Sequence, residues 1–134
     1  MKIKLFLLFL ICCSISFSQN FDKKVNDLIL NYENEVIELR HWFHENAELS
    51  NREFKTAKRI EQELIKIGLN PQTGIAKTGV VAVLKGGKPG PVVALRADID
   101  GLPVKERADL PWASKMTGIY NGEKVPVMHA CGHD

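Results

Sequence analysis

Several common enzyme signatures are missing from this sequence. It has no G-x-G-x-x-G, no Walker pattern and no G-x-S-x-G elbow, so a dinucleotide fold, a P-loop and an elbow-type serine hydrolase have no support. It has no internal repeat and no low-complexity tract, and at 45% hydrophobic and 25% charged it is neither disordered nor fibrous. Its 134 residues leave room for one domain at most. Charge of one sign is also scarce. Lys2 and Lys4 account for the whole formal net charge of +2, and a neutral remainder gives no electrostatic footprint for nucleic acid or an anionic membrane.

Cysteine is rare, with three in all, and two of them, Cys12 and Cys13, end the apolar run Leu5 to Cys13. Lys2 and Lys4 precede that run, and Ser14, Ser16 and Ser18 follow it. This is the plan of a secretory signal peptide over residues 1–18, cleaved after Ser18. The run falls short of the ~20 residues that span a bilayer, so no stable membrane anchor is expected. Ile11 before Cys12 and Cys12 before Cys13 disfavour a lipid-modified cysteine. The mature chain, residues 19–134, would be exported to the periplasm or outside the cell. It would keep only Cys131, in a compartment that favours disulfides. Such a thiol is buried and inert, paired outside this chain, or held by a metal. Its setting between His129 and His133 favours the metal.

In the mature chain, Val25, Leu28, Ile29, Tyr32, Val36, Leu39 and Phe43 recur at steps of three and four, which predicts an amphipathic helix from Asp22 to about Phe43. His41 and His44 at its end could ligate a metal, but imidazoles there are better explained by the helix dipole. Ser50-Asn51-Arg52-Glu53 reads as a capping box. It opens a second helix with a buried stripe of Phe54, Ala57, Ile60, Leu64 and Ile67, closed at Gly68 and stopped by Asn70-Pro71. Val80 to Leu84 and Val92 to Ala97 read as two strands of one sheet, separated by a glycine- and proline-rich loop. The pattern is that of an α/β layer. Residues 105–126 are expected to be mostly loop, with turns at Pro111-Trp112 and Asn121-Gly122, and Val125 to Met128 a short strand.

Two stretches carry chemistry. Asp98 and Asp100, two apart at a strand end, would project to one side and could hold a cation or orient a histidine, although Asp-Gly followed by Pro is also ordinary turn chemistry. The final residues, Val127 to Asp134, hold a thiol, two imidazoles and a carboxylate within six positions. With Gly132 between them, Cys131 and His133 fall on one side of an extended or turning backbone, whereas on a helix they would diverge by roughly 200°. A thiolate and an imidazole suit zinc and its neighbours, yet they make half a site.

Four segments, RHWFHENAELSNREFKTA (Arg40–Ala57), VALRADIDGLPVKE (Val93–Glu106), LPWASK (Leu110–Lys115) and VMHACGHD (Val127–Asp134), resemble metallopeptidase family M20, within it the N-acyl-amino-acid amidohydrolases related to hippurate hydrolase. The resemblance implies the N-terminal part of a mixed-sheet, zinc-peptidase-like α/β catalytic domain, incomplete here, spanning residues 19–134. It implies Cys131 and His133 as ligands of a divalent centre, often of two ions, zinc or manganese. Asp100 resembles an aspartate behind the ligands, Asp98 stands where other branches place a histidine ligand, and His129 and Asp134 would support the corner. The implied reaction is hydrolysis of amides in N-acyl amino acids or small peptides, in which a metal acidifies water toward a pKa of ~7 and a glutamate relays the proton. That glutamate lies downstream of the motif in the family, so no catalytic residue is assigned in this chain and the fragment is expected to be inactive alone. The resemblance also implies that a smaller dimerisation or lid domain normally interrupts the catalytic domain, which would allow a homodimer in the complete protein. Ala47 replaces the family's usual proline, a change expected to alter a loop. The alternative is a small exported non-catalytic metal-binding or interaction module using Cys131, His129 and His133.

Overall fold

The computed structural model describes the backbone of residues 2–134 and the side chains of residues 22–134. The signal-peptide reading of residues 1–18 lies outside the residues whose side chains are described. Among the described residues no helix is long and apolar enough to cross a membrane. Residues Met1–Glu38 and Leu39–Asp134 form two compact units. Helix α1 (Lys2–Glu45) makes up the first from Lys2 on and supplies the start of the second. The periodicity over 22–43 is helical as expected, but the stripe is not buried. Val25, Leu28, Ile29, Tyr32 and Val36 are all exposed, because among the described residues nothing covers them.

The second unit continues with α2 (Phe54–Lys66), an antiparallel hairpin of β1 (Gln72–Ile75) and β2 (Gly79–Val81), and a second of β3 (Thr117–Tyr120) and β4 (Glu123–Pro126). The Arg59 guanidinium lies 5.0 Å from the Trp42 ring centroid, a cation–π contact that ties α2 to the end of α1. The capping box does not form. The N-cap is Glu53, with no side-chain cap bond, and its carboxylate accepts from Thr78 Oγ1 at 2.7 Å. Glu48 takes over, accepting from Thr56 N at 2.9 Å and Thr56 Oγ1 at 3.0 Å, so an orphan donor of the first turn is met from outside the helix. The far end is as read: Gly68 N bonds Ile65 O and Leu69 N bonds Leu64 O, both at 2.9 Å, the paired bonds of a Schellman motif. Of the expected stripe Ala57 is buried, Ile60 and Leu64 are half-buried, and Phe54 and Ile67 are exposed.

The two strands do not share a sheet. Only Gly79–Val81 pairs, and with β1, an element not anticipated. Residues 82–97 carry no strand, and Val92 and Leu95 are 98% and 97% exposed. An apolar strand is held by hydrogen-bonded neighbours on its edges and layers on its faces, and among the described residues it has neither. The expected loop over 105–126 instead holds the β3–β4 hairpin. Asn121 (φ 51°) and Gly122 (φ 84°) form its two-residue turn, both central residues in the positive-φ region that a type I′ hairpin requires.

The core lies where three distant segments meet. Ala47, Leu49 and Val127 are buried together, with Met116 and Val125 packed against them. Single bridges join Leu49 to Gly101 and Leu102 to Met128. Gly101 is tightly enclosed at this crossing. A Cβ there would lie 3.0 Å from Val127 Cγ1 and 3.1 Å from Ala47 Cβ; Ala47, in the loop after α1, is part of the core.

Candidate functional site

The crossing delivers the C-terminal motif. Leu102 N bonds Met128 O at 2.9 Å and Met128 N bonds Leu102 O at 3.1 Å, which places residues 129–134 beside the Asp100 turn. Gly132 has φ +74°, a left-handed residue that glycine adopts without strain, so Cys131 and His133 flank a sharp turn. The Cys131 thiol is free and exposed. His133 Nδ1 lies 3.0 Å from Asp100 Oδ1 and 3.2 Å from Asp100 O. With Nδ1–H donating to Asp100, Nε2 carries the lone pair, the carboxylate–imidazole arrangement that orients a metal-ligating histidine.

The sequence reading joined Asp98 to Asp100, and the structure separates them. Residues 92–100 have no strand pairing, so the alternation behind that expectation is lacking, and Asp98 instead accepts from Arg96 Nη2 at 2.6 Å on the surface. Among the described residues no group of three or more His, Cys, Asp or Glu side chains is placed to hold an ion. A thiol and a carboxylate-backed imidazole therefore fit one corner of a metal site and do not close it.

Beside this corner lies a charge cluster that sequence reasoning missed. His44 Nδ1 donates to Asp134 Oδ2 at 2.8 Å, and His44 Nε2 donates to Glu106 Oε2 at 2.7 Å. Arg40 Nε stands 3.7 Å from the same Asp134 oxygen, and Glu106 Oε1 accepts the backbone N–H groups of Arg107 and Ala108. Burial opposes a charge on His44, but the hydrogen bonds and charges of Glu106 and Asp134 outweigh it and raise its pKa above the usual 6.5. The backbone bond from Ala108, followed by His44, lowers Glu106. Burial would raise Asp134, yet His44 and Arg40 hold it below the usual carboxylate range. His41, the other histidine of the expected pair, instead stacks on Trp112 with ring centroids 3.6 Å apart. The one signal available was the four-residue step from Arg40 to His44, which sets both on one helix face.

His129 is 5% exposed, and neither ring nitrogen has a partner at good hydrogen-bond geometry, the Asp100 backbone lending it only a weak interaction. Burial, above all, lowers its pKa, which favours the neutral ring, and its centroid lies 6.5 Å from that of His44.

No family model matches the chain. Thermostable carboxypeptidase 2 of Saccharolobus solfataricus is 42% identical over 113 residues, covering 84% of this chain and 27% of the relative. Hippurate hydrolase of Campylobacter jejuni is 45% identical over 106 residues, covering 79% of this chain and 26% of the relative. Among solved structures, a dinuclear metal-binding peptidase of the M20 family from Bacillus subtilis superposes with a TM-score of 0.67 at 40% identity, covering 77% of this chain and 27% of that one. The chain thus spans about a quarter of the length of the relatives it matches. With these relatives and this structural neighbour, the chain belongs to the M20 family of peptidases and amidohydrolases, as an N-terminal portion of their α/β catalytic domain.

Proposed function

We propose that a protein carrying this chain is a metal-dependent hydrolase of amide bonds in N-acyl amino acids or small peptides. In this reading Cys131 and His133 are metal ligands, and Asp100 is the residue that orients His133. The observation that carries the reading is the hydrogen bond from His133 Nδ1 to Asp100, which leaves the Nε2 lone pair available two residues from an exposed thiol. A divalent ion, when bound, supplies Lewis acidity for polarising an amide carbonyl and acidifying water. Asp100 holds the imidazole tautomer, and the left-handed Gly132 turns the chain between the two proposed ligands. The centre is proposed to hold two ions, zinc or manganese, in a homodimer exported to the periplasm or beyond through cleavage after Ser18. The first 134 residues alone are proposed to be inactive.

A non-catalytic metal-binding module is less well supported, since it would need a closed ligand set and the described residues hold no group of three. The test is an assay of the complete protein on N-acyl amino acids and dipeptides, with and without a chelator. Activity is expected to vanish with the chelator, return with zinc or manganese, and be lost in Cys131→Ser. Activity that survives both chelation and Cys131→Ser would sink the reading.

A further inference from the structure

The proposed ligands sit on a short turn near the surface, and a turn by itself does not hold two donors to the tolerance a metal requires. Asp100 restrains His133 from one side. The other restraint acts through the next residue. The Asp134 side chain is 3% exposed and bonded to His44, whose other nitrogen is bonded to the Glu106 side chain, 8% exposed. Glu106 is itself pinned by the backbone of Arg107 and Ala108. Three parts of the chain, the end of α1, the stretch after Pro103 and the C-terminal motif, therefore meet on one imidazole.

We propose that His44 is a positioning residue for the metal corner: held by Glu106 and holding Asp134, it fixes the Cys131–Gly132–His133 turn against Asp100. The inference rests on the metal reading above. His44 touches neither Cys131 nor His133 through any hydrogen bond in the structure. Its effect reaches the ligands through Asp134, adjacent in the chain to His133. Partners of this kind typically govern metal affinity or activity by ~10–100-fold.

The test uses the complete protein loaded with cobalt(II), whose thiolate charge-transfer band reports the Cys131 bond, together with zinc affinity by competition. Wild type should show the band, and Cys131→Ser should remove it. If wild type shows no band, the metal reading itself fails. If the band is present, His44→Gln should weaken zinc binding by about tenfold and shift or broaden the band. Glu106→Gln should do the same more weakly. The double variant should lose no more than His44→Gln alone, because the two residues form one chain of contacts. Unchanged zinc affinity and an unchanged band in both single variants would overturn the role of His44 while leaving the metal reading intact. Losses that simply multiply in the double variant would overturn the relay through Glu106. Should His44→Gln fail to fold, the band and zinc affinity of Glu106→Gln decide the matter alone: a shifted band with weaker binding supports the proposal, and wild-type values overturn it.

Discussion

Residues 82–97 and the crossing of residues 47–49, 101–102 and 127–128 are alike in composition and opposite in fate. Both are rich in Val, Leu and Ala. At the crossing Val127 is 2% exposed and Leu49 5%, while in the other segment Val92 is 98% exposed and Leu95 97%. The difference is hydrogen-bonded company. Leu49, Gly101, Leu102 and Met128 each have a bridge partner, whereas residues 82–97 have no strand pairing. Apolar side chains create the tendency to be buried, and paired backbones decide where that tendency is satisfied.

The sharpest way to break this contrast is Leu49→Ala. It empties the centre of the crossing and should destabilise Leu39–Asp134 by about 2–5 kcal/mol, read as a lowered denaturant midpoint. A loss below 1 kcal/mol would mean that the crossing is not the core.

Next comes pH. The folded-state pKa of His44 is raised above 6.5, so its stabilising contribution is complete below 6.5 and is lost as pH rises through the raised value. Glu106 and Asp134 are lowered, so their contributions are present above the usual carboxylate range and fade as pH falls through the depressed values. Chemical denaturation across pH should therefore show a loss on the alkaline side of 6.5 that is absent in His44→Gln. A loss of equal size in that variant would assign it to another group.

Gly122→Ala should cost about 1–2 kcal/mol, since φ there is +84° and an L side chain resists that region. The check is the thermal midpoint, together with amide exchange at Gly118 and Ile119. The smallest effect is reserved for the other side of the comparison. In residues 1–134, Leu95→Ala should change stability by no more than ~0.5 kcal/mol. A larger loss would show that the segment is packed after all.

What could be read in advance divides along the same line. Local grammar was legible. The period of α1 over 22–43 and the Schellman closure at Gly68 follow from neighbouring residues alone. Asn121-Gly122 reads as a turn, and as the strongest short-range hairpin signal it is also the one local cue to β3 and β4. The capping box failed because Glu53 had a better partner 25 residues away in Thr78, which no local pattern displays. β1, Gln72-Thr73-Gly74-Ile75, offers only two β-branched residues around a glycine, too short a run to mark a strand, and its pairing with β2 is what defines it. The motif and its Asp100 companion were legible from residue chemistry. The His44 bridge was not, for it joins positions 62 and 90 residues apart.

The Leu49–Gly101 bridge also makes the intervening chain a tethered loop, with the Cys131–His133 corner fastened outside it. The entropy of closing such a loop grows only with the logarithm of its length, so even halving or doubling it changes the closure cost by about 0.6 kcal/mol. Insertions or deletions among Lys85–Pro91 are thus nearly free as far as that corner is concerned. Length variation can accumulate there while the spacing between Gly101 and the final motif stays under tight geometric control.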